Sequence, residues 1–238
     1  MLHQFFATLF YIPIYNVLIW LIDLMPGTSA GLAVVLLTII IRTALFPLSK
    51  KSIKTQLQMK KIEPEVNAIK EKIKDKTEQG RRILALYKEK DVNPFAGFFL
   101  ILIQFPILIG LYQVFISGLP KVDSSLIYSF VHIPNMISMQ FLGVDLTSNV
   151  LKITLAILAV LTQFIQINLS LPKTTKKENA SFQNDLAYSM NMQMRYIFPL
   201  IMFPIAIISA VIALYLVTTN IFMICQELFV KRKMAKKY

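Results

Sequence analysis

The sequence predicts an all-α integral membrane protein with a five-helix transmembrane core, a cytoplasmic helical hairpin and an N-terminal interfacial helix. Three observations carry that prediction. Of 238 residues, 55% are hydrophobic and only 16% are charged, with a mean hydropathy of +0.59; a soluble globular chain carries roughly 25% charged residues. Charge is missing from several long runs, each near the ~20 apolar residues a helix needs to cross a bilayer core of about 30 Å. The 25 Lys and Arg outnumber the 13 Asp and Glu, and they gather between those runs, as expected of loops retained on the cytoplasmic side.

Residues 1–28 hold an uncharged stretch, Phe5 to Ile22, of 18 residues that includes Pro13 and Asn16. With Trp20 and Asp23 close behind, these favour a helix lying in the outer interface, a full span being the alternative. The segment lacks the basic start and small-residue cleavage site of a signal peptide. The first span is expected over 29–49, where Ala30 to Leu48 is broken only by Arg42.

Residues 50–92 carry 13 Lys and Arg and are therefore expected in the cytoplasm. Ile53, Leu57, Ile62, Val66, Ile69 and Ile73 recur at helical spacing, and Ile83, Leu86 and Tyr87 form a second, shorter stripe. Asp75-Lys76-Thr77-Glu78 separates the two, with Gly80 close by, so an antiparallel helical hairpin with a thin apolar seam fits. A solvated loop that only fixes topology is the alternative.

The second span is expected over 95–118, an outer loop over 119–151, the third span over 152–171 and a second cytoplasmic loop over 172–195. Tyr196 to Gln226 is then a run of 31 uncharged residues, roughly 46 Å long as one helix. Parity of crossings decides how to divide it. A single span would strand the five basic residues of the tail, 230–238, outside; a tight hairpin of spans at 196–208 and 211–229 keeps them inside. Pro199, Pro204 and the pair Ser209-Ala210 offer places to bend. This topology puts 22 of the 25 basic residues on the cytoplasmic side and leaves Lys121 and Lys152 outside and Arg42 within the membrane. Topology thus accounts for most of the basic surplus, and nucleic-acid binding becomes a minor reading.

Catalytic, metal and cofactor chemistry find little support. Cys225 is the single cysteine, so no internal disulfide forms, and it lies in an apolar run. His3 and His132 have no metal-ligand spacing. No phosphate-binding glycine loop is present. The expectation is a protein that is not an enzyme and uses no cofactor.

Arg42 is the one charged residue well inside a span. A central arginine costs about 2.5–3.5 kcal/mol on insertion scales, so it is a functional candidate, with snorkelling to the cytoplasmic headgroups as the bland reading. No Asp or Glu lies in another span to pair with it. Thr38 lies one turn away on the same helix face, and other spans bring Gln104, Gln113, Gln163, Gln166, Thr218, Thr219 and Asn220. Each of these polar residues could equally serve an interhelical hydrogen bond worth around 0.6 kcal/mol. A guanidinium among amides and hydroxyls suits water or a transient anionic guest.

Several motifs resemble one family. Ile39-Ile40-Ile41-Arg42-Thr43-Ala44-Leu45-Phe46-Pro47-Leu48-Ser49-Lys50 resembles the first core span of the YidC/Oxa/Alb membrane protein insertases. Tyr87-Lys88-Glu89-Lys90-Asp91-Val92-Asn93-Pro94 with Leu102-Ile103-Gln104-Phe105-Pro106-Ile107 resembles the entry to the second. Phe141-Leu142-Gly143-Val144-Asp145-Leu146 resembles the approach to the third, and Leu214-Tyr215-Leu216-Val217-Thr218-Thr219-Asn220 the last. The likeness covers roughly residues 10–233. It implies five helices around a hydrophilic groove that is open to the cytoplasm and to lipid and closed outside, with an outer amphipathic helix at the N-terminus. The family's groove arginine falls on Arg42 and its neighbouring threonine on Thr38. Where relatives commonly have Pro-Ser-Gly between the last two spans, this chain has Ser209-Ala210-Val211. A groove-facing tyrosine of the family falls on Leu216, with Tyr215 beside it. Without a lipobox cysteine or a large outer domain, the chain looks like a minimal bacterial form.

The resemblance implies insertion of nascent membrane proteins into the bacterial cell membrane without ATP hydrolysis. Arg42, Thr38, Gln104, Gln163, Gln166, Tyr215, Thr219 and Asn220 are expected along the groove, and Phe164, Phe198, Phe203 and Leu216 along an apolar slide for the entering helix. Expected partners are the nascent chain and the bilayer, with the ribosome, the signal recognition pathway and the Sec translocon as further candidates and no small-molecule substrate. A small secondary transporter or channel is the rival reading. It lacks the intramembrane acidic or histidine residues that coupled carriers usually hold.

Overall fold

Helix α1, Ile12–Leu24, follows a π-type turn at Ala7–Tyr11 and carries Pro13 in its first turn, where the missing N–H would have no intrahelical acceptor. A 3-10 turn, Pro26–Thr28, with Gly27 at φ 63°, reverses the chain into α2, Ala30–Ala44. Then come α3, Phe46–Lys72; α4, Lys76–Glu89; α5, Ala96–Ser117; α6, Asn149–Ser170; α7, Phe198–Ala206, entered through a π-type turn at Gln193–Ile197; and α8, Ala210–Ala235. The one sheet among the described residues is a two-residue hairpin, β1 Gln140–Phe141 and β2 Val144–Asp145, pairing Gln140 with Asp145 and Phe141 with Val144. The computed structural model describes residues 6–93, 96–117, 119, 121–171, 189 and 191–235. The all-α membrane class expected from composition holds. Among the described residues three helices are long and apolar enough to cross a membrane: Ala7–Leu24, Asn149–Ser170 and Ala210–Met234. A fourth is present if Ala30–Ala44 and Phe46–Lys72 form one broken span.

The chain divides into two compact units, residues 1–44 with 104–225, and 45–103 with 226–238. In the first, α1 lays Tyr15, Leu18, Ile19 and Ile22 inward and packs on α2, whose Ala30, Ala33, Val34 and Leu37 are buried. The opposite side of the N-terminal helix exposes Leu9, Val17, Trp20 and Leu24, so both of its faces are apolar. Helix α6 packs most extensively on α7. Eight consecutive residues of α8, Ala210 to Val217, are all buried, which makes its first half the centre of this unit.

The stretch between α5 and α6 runs beside α1 and ends on α2. The Asp123 N–H donates to the Tyr15 hydroxyl at 2.9 Å. Asn16, 1% exposed, donates to the Leu126 carbonyl at 2.8 Å and accepts from the Tyr128 N–H at 2.7 Å. His132 Nδ1 lies 3.2 Å from an Asp23 oxygen. At the start of α2, the Ala30 N–H donates to the Ser138 carbonyl at 2.9 Å and the Ser29 hydroxyl to the Gln140 carbonyl at 2.7 Å. The first of these satisfies a helix-end donor that the helix cannot satisfy itself. Gly31 is needed there: a Cβ at this position would lie 2.6 Å from the Phe141 Cβ and 2.9 Å from the Gln140 carbonyl oxygen. The Ser125 hydroxyl and N–H both donate to the Asp123 carboxylate and hold it below the usual carboxyl range.

The second unit contains the α3–α4 pair. Asp75 caps α4 by accepting from the Glu78 N–H at 2.8 Å, as an acidic residue before a helix start should. Buried Gln79 donates to the Lys70 and Ile73 carbonyls, both at 3.0 Å, and so ties α4 to the end of α3. Ile62, Val66, Leu86 and Val92 are buried, a thin apolar seam. The end of α8 meets the start of α3, with the Phe46 and Phe229 rings 6.5 Å apart and Glu227, 2% exposed, paired with Lys231 at 2.8 Å.

Candidate functional site: a buried guanidinium joined to three helices

Arg42 sits in the last turn of α2, where a cation meets the negative end of the helix dipole. Its side chain is turned into the bundle and is 7% exposed. The guanidinium donates through Nη2 to the Gln104 carbonyl oxygen on α5. The Gln104 amide nitrogen in turn donates to the Tyr215 hydroxyl on α8 at 2.5 Å. The two bonds fix the amide's orientation, carbonyl toward the cation and nitrogen toward the phenol. Three helices are thereby joined through one side chain.

Among the described residues no ion pair involves Arg42; Lys90–Glu65 and Lys231–Glu227 pair away from it. A full positive charge with only neutral dipoles around it can accept an anionic or strongly polar guest without first breaking an ion pair.

The other expected groove residues divide. Thr38 is 1% exposed, and its hydroxyl donates back to the Val34 carbonyl at 2.7 Å, a bond within its own helix and not one to Arg42. Thr219 is 3% exposed, one turn beyond Tyr215. Asn220, 2% exposed, faces α6, donating to the Ala159 carbonyl at 3.2 Å and to the Thr162 hydroxyl at 3.1 Å. Gln163 and Gln166 form a ladder with Ser170: Gln163 donates to Gln166 at 3.4 Å and Gln166 to Ser170 at 2.9 Å. The sequence reading missed Thr162 and Ser170. The signal available was their place on the turn of Gln163 and one turn beyond Gln166.

Of the slide residues, Phe164 is 38% exposed, with its ring 5.9 Å from that of Tyr196, and Phe198 and Phe203 are half-buried. Leu216 departs from expectation. It is 5% exposed, inside the run of α8 that is buried on every side, and so presents no surface to an entering helix. The aromatic hydroxyl at this level belongs to Tyr215 and points to Gln104. Two cavities lie elsewhere in this unit, about 430 Å³ lined by Ser189, Met192, Gln193, Tyr196 and Ile197, and about 170 Å³ lined by Leu108, Ile109, Tyr112, Ile205, Ile208 and Ile212. Among the described residues no cluster of three or more His, Cys, Asp and Glu could hold a metal.

Comparison with known proteins gives this geometry its context. A family model described as 60Kd inner membrane protein matches residues 20–237. The membrane protein insertase YidC of Clostridium tetani is 32% identical over 211 residues, 87% of this chain and 84% of that protein. That of Oceanobacillus iheyensis is 30% identical over 228 residues, 92% of this chain and 82% of its own. That of Paraburkholderia phymatum is 30% identical over 225 residues, and there the chain spans 36% of the relative's length. With a family model over most of its length and two relatives at least 30% identical matched over more than four fifths of their own length, this chain belongs to the 60Kd inner membrane protein family.

Proposed function

We propose that this chain inserts nascent membrane proteins into the bacterial cell membrane through a cytoplasm-open hydrophilic groove centred on Arg42, without nucleotide hydrolysis. The observation that carries the reading is the inward-turned guanidinium, held by Gln104 and Tyr215 and free of any carboxylate among the described residues. Family membership and the names of the relatives agree with it.

The proposed topology has five spans, formed by α2, α5, α6, α7 and α8, with the basic α3–α4 hairpin and the tail in the cytoplasm. We take α1 to lie in the outer interface. An irregular stretch runs beside it from Tyr15 to Asp23, and irregular backbone exposed to lipid is not tolerated within the hydrocarbon layer.

In this reading the guanidinium and water receive the polar, often acidic, tail of a client partway across. An acidic group moving outward gains about 2.3 kcal/mol per 100 mV from the membrane potential. The helical run 191–206, made of the π-type turn and α7, is only about 24 Å long, and that mismatch thins the bilayer at the site of entry. Phe164, Phe198 and Phe203 guide the apolar segment into lipid, a transfer worth ~0.8 kcal/mol per CH₂. The ribosome, the signal recognition pathway and the Sec translocon are the proposed delivery partners.

The test is insertion of a substrate with an acidic translocated tail into liposomes containing the purified protein. Arg42→Ala should slow insertion markedly, and Arg42→Lys should retain much of it. Equal rates for Arg42→Ala and the parent would remove Arg42 from the mechanism.

A further inference from the structure

The stretch between α5 and α6 exposes large apolar side chains in a setting where a water-soluble loop would not. Phe130 is 78% exposed, Met136 80% and Leu142 75%. Leu142 also occupies the first turn position of the β1–β2 hairpin at φ 49°, followed by Gly143 at φ 82°. Asn, Asp or Gly normally fill that position, because a Cβ clashes in left-handed backbone. A leucine there is strained, and its side chain gains almost no contact within the protein.

The hairpin's position identifies what covers it. The Ser29–Ser138 bridge, the bond from the Ser29 hydroxyl to the Gln140 carbonyl, and the close approach of Gly31 to Phe141 fasten it to the first turn of α2. A turn at Asp145–Ser148 leads directly into α6, one of the helices apolar enough to cross a membrane. Exposed apolar residues continue along that helix from Val150, 76%, through Ile153, 45%, to Ile157, 48%, at the i, i+3, i+7 spacing of one helix face. The hairpin's exposed leucine therefore adjoins the level at which a lipid-facing surface begins.

We infer that this stretch is an interfacial anchor: Leu142, with Phe130 and Met136, dips into the acyl region of the leaflet in which α2 and α6 begin. The partner is the phospholipid itself, contacted through apolar side chains, so zwitterionic lipid suffices. The anchor sets the depth at which α2 and α6 begin. The inference rests on the membrane-spanning reading of those helices and is independent of any insertase activity.

The experiment attaches an environment-sensitive fluorophore to Leu142→Cys, Met136→Cys or, as an exposed polar control, Ser124→Cys, each in a Cys225→Ala background. The full chain is reconstituted in phosphatidylcholine vesicles with nitroxide lipids labelled near the headgroup or at the chain end. Probes at 142 and 136 should be quenched several-fold more by the shallow nitroxide than the probe at 124, and should be shielded from aqueous iodide. Iodide quenching at 142 and 136 equal to that at 124, with no nitroxide effect, would overturn the inference. So would shielding that appears only in native membranes and not in pure lipid, since that points to a protein partner.

Discussion

Replacing Gln104 by leucine keeps the side-chain volume close and removes both bonds through which it joins Arg42 to Tyr215. A hydrogen bond to a charged group contributes about 1.5–3 kcal/mol in soluble proteins, whereas interhelical bonds in membranes average about 0.6 kcal/mol with a maximum near 1.7. Arg42 is 7% exposed and has no carboxylate partner among the described residues, so its coupling to Gln104 belongs near the top of the membrane range. We expect about 1.5 kcal/mol, roughly a tenfold change in an equilibrium constant. The assay is a double-mutant cycle of Gln104→Leu and Arg42→Met, with reversible unfolding followed in lipid bicelles. The cycle isolates the pair from the separate costs of each replacement. A coupling under about 0.5 kcal/mol would mean that the guanidinium reaches the headgroups instead, and the reasoning about an inward site would fail.

Gly31→Ala forces a Cβ into the 2.6 Å gap beside Phe141 and should destabilise the start of α2 by about 1–3 kcal/mol, read as a lowered midpoint of thermal unfolding in detergent. Asn16→Ala removes a buried amide that holds both Leu126 and Tyr128; hydrogen exchange at the Tyr128 amide should speed up by a factor matching about 1–3 kcal/mol. The Asp123 carboxyl titrates below its usual range because Ser125 donates to its charged form. The order it gives the Ser124–Leu126 turn is therefore present above the unfolded-state pKa and is lost as pH falls through the lower folded value. NMR of the Ser125 amide should follow that loss, and an Asp123 that titrates at or above the ordinary range would contradict it.

The membrane class was legible because absence of charge over some twenty residues is a one-dimensional property. The turn of the α3–α4 pair was legible in Asp75-Lys76-Thr77-Glu78, since a cap acts within four residues. The site was legible only in part. Arg42 and Gln104 could be named as candidates from their chemistry and Tyr215 from the family resemblance, but their mutual bonds depend on the rotation of three helices. For α8 that rotation leaves no trace in the sequence: Ala210 to Val217 are buried all round, so no apolar face distinguishes Tyr215 from Leu216. Thr38 illustrates a second blind spot, since a threonine hydroxyl that bonds its own helix has the same spacing as one facing a groove. The β1–β2 hairpin was invisible because Leu142-Gly143 is a poor hairpin turn by local preference. Its docking on Gly31 is a contact between residues more than a hundred positions apart.

The central claim is that the guanidinium at the end of α2 meets the polar tail of a client while that tail is crossing. A photo-crosslinker at Gln104, the residue in direct contact with Arg42, can be placed opposite a stalled insertion intermediate in reconstituted vesicles. The account predicts a crosslink to the tail, strongest when the tail is acidic and lost when the client is released into lipid. A probe at Phe164 that captures the client while position 104 captures nothing at any stage of insertion would contradict it.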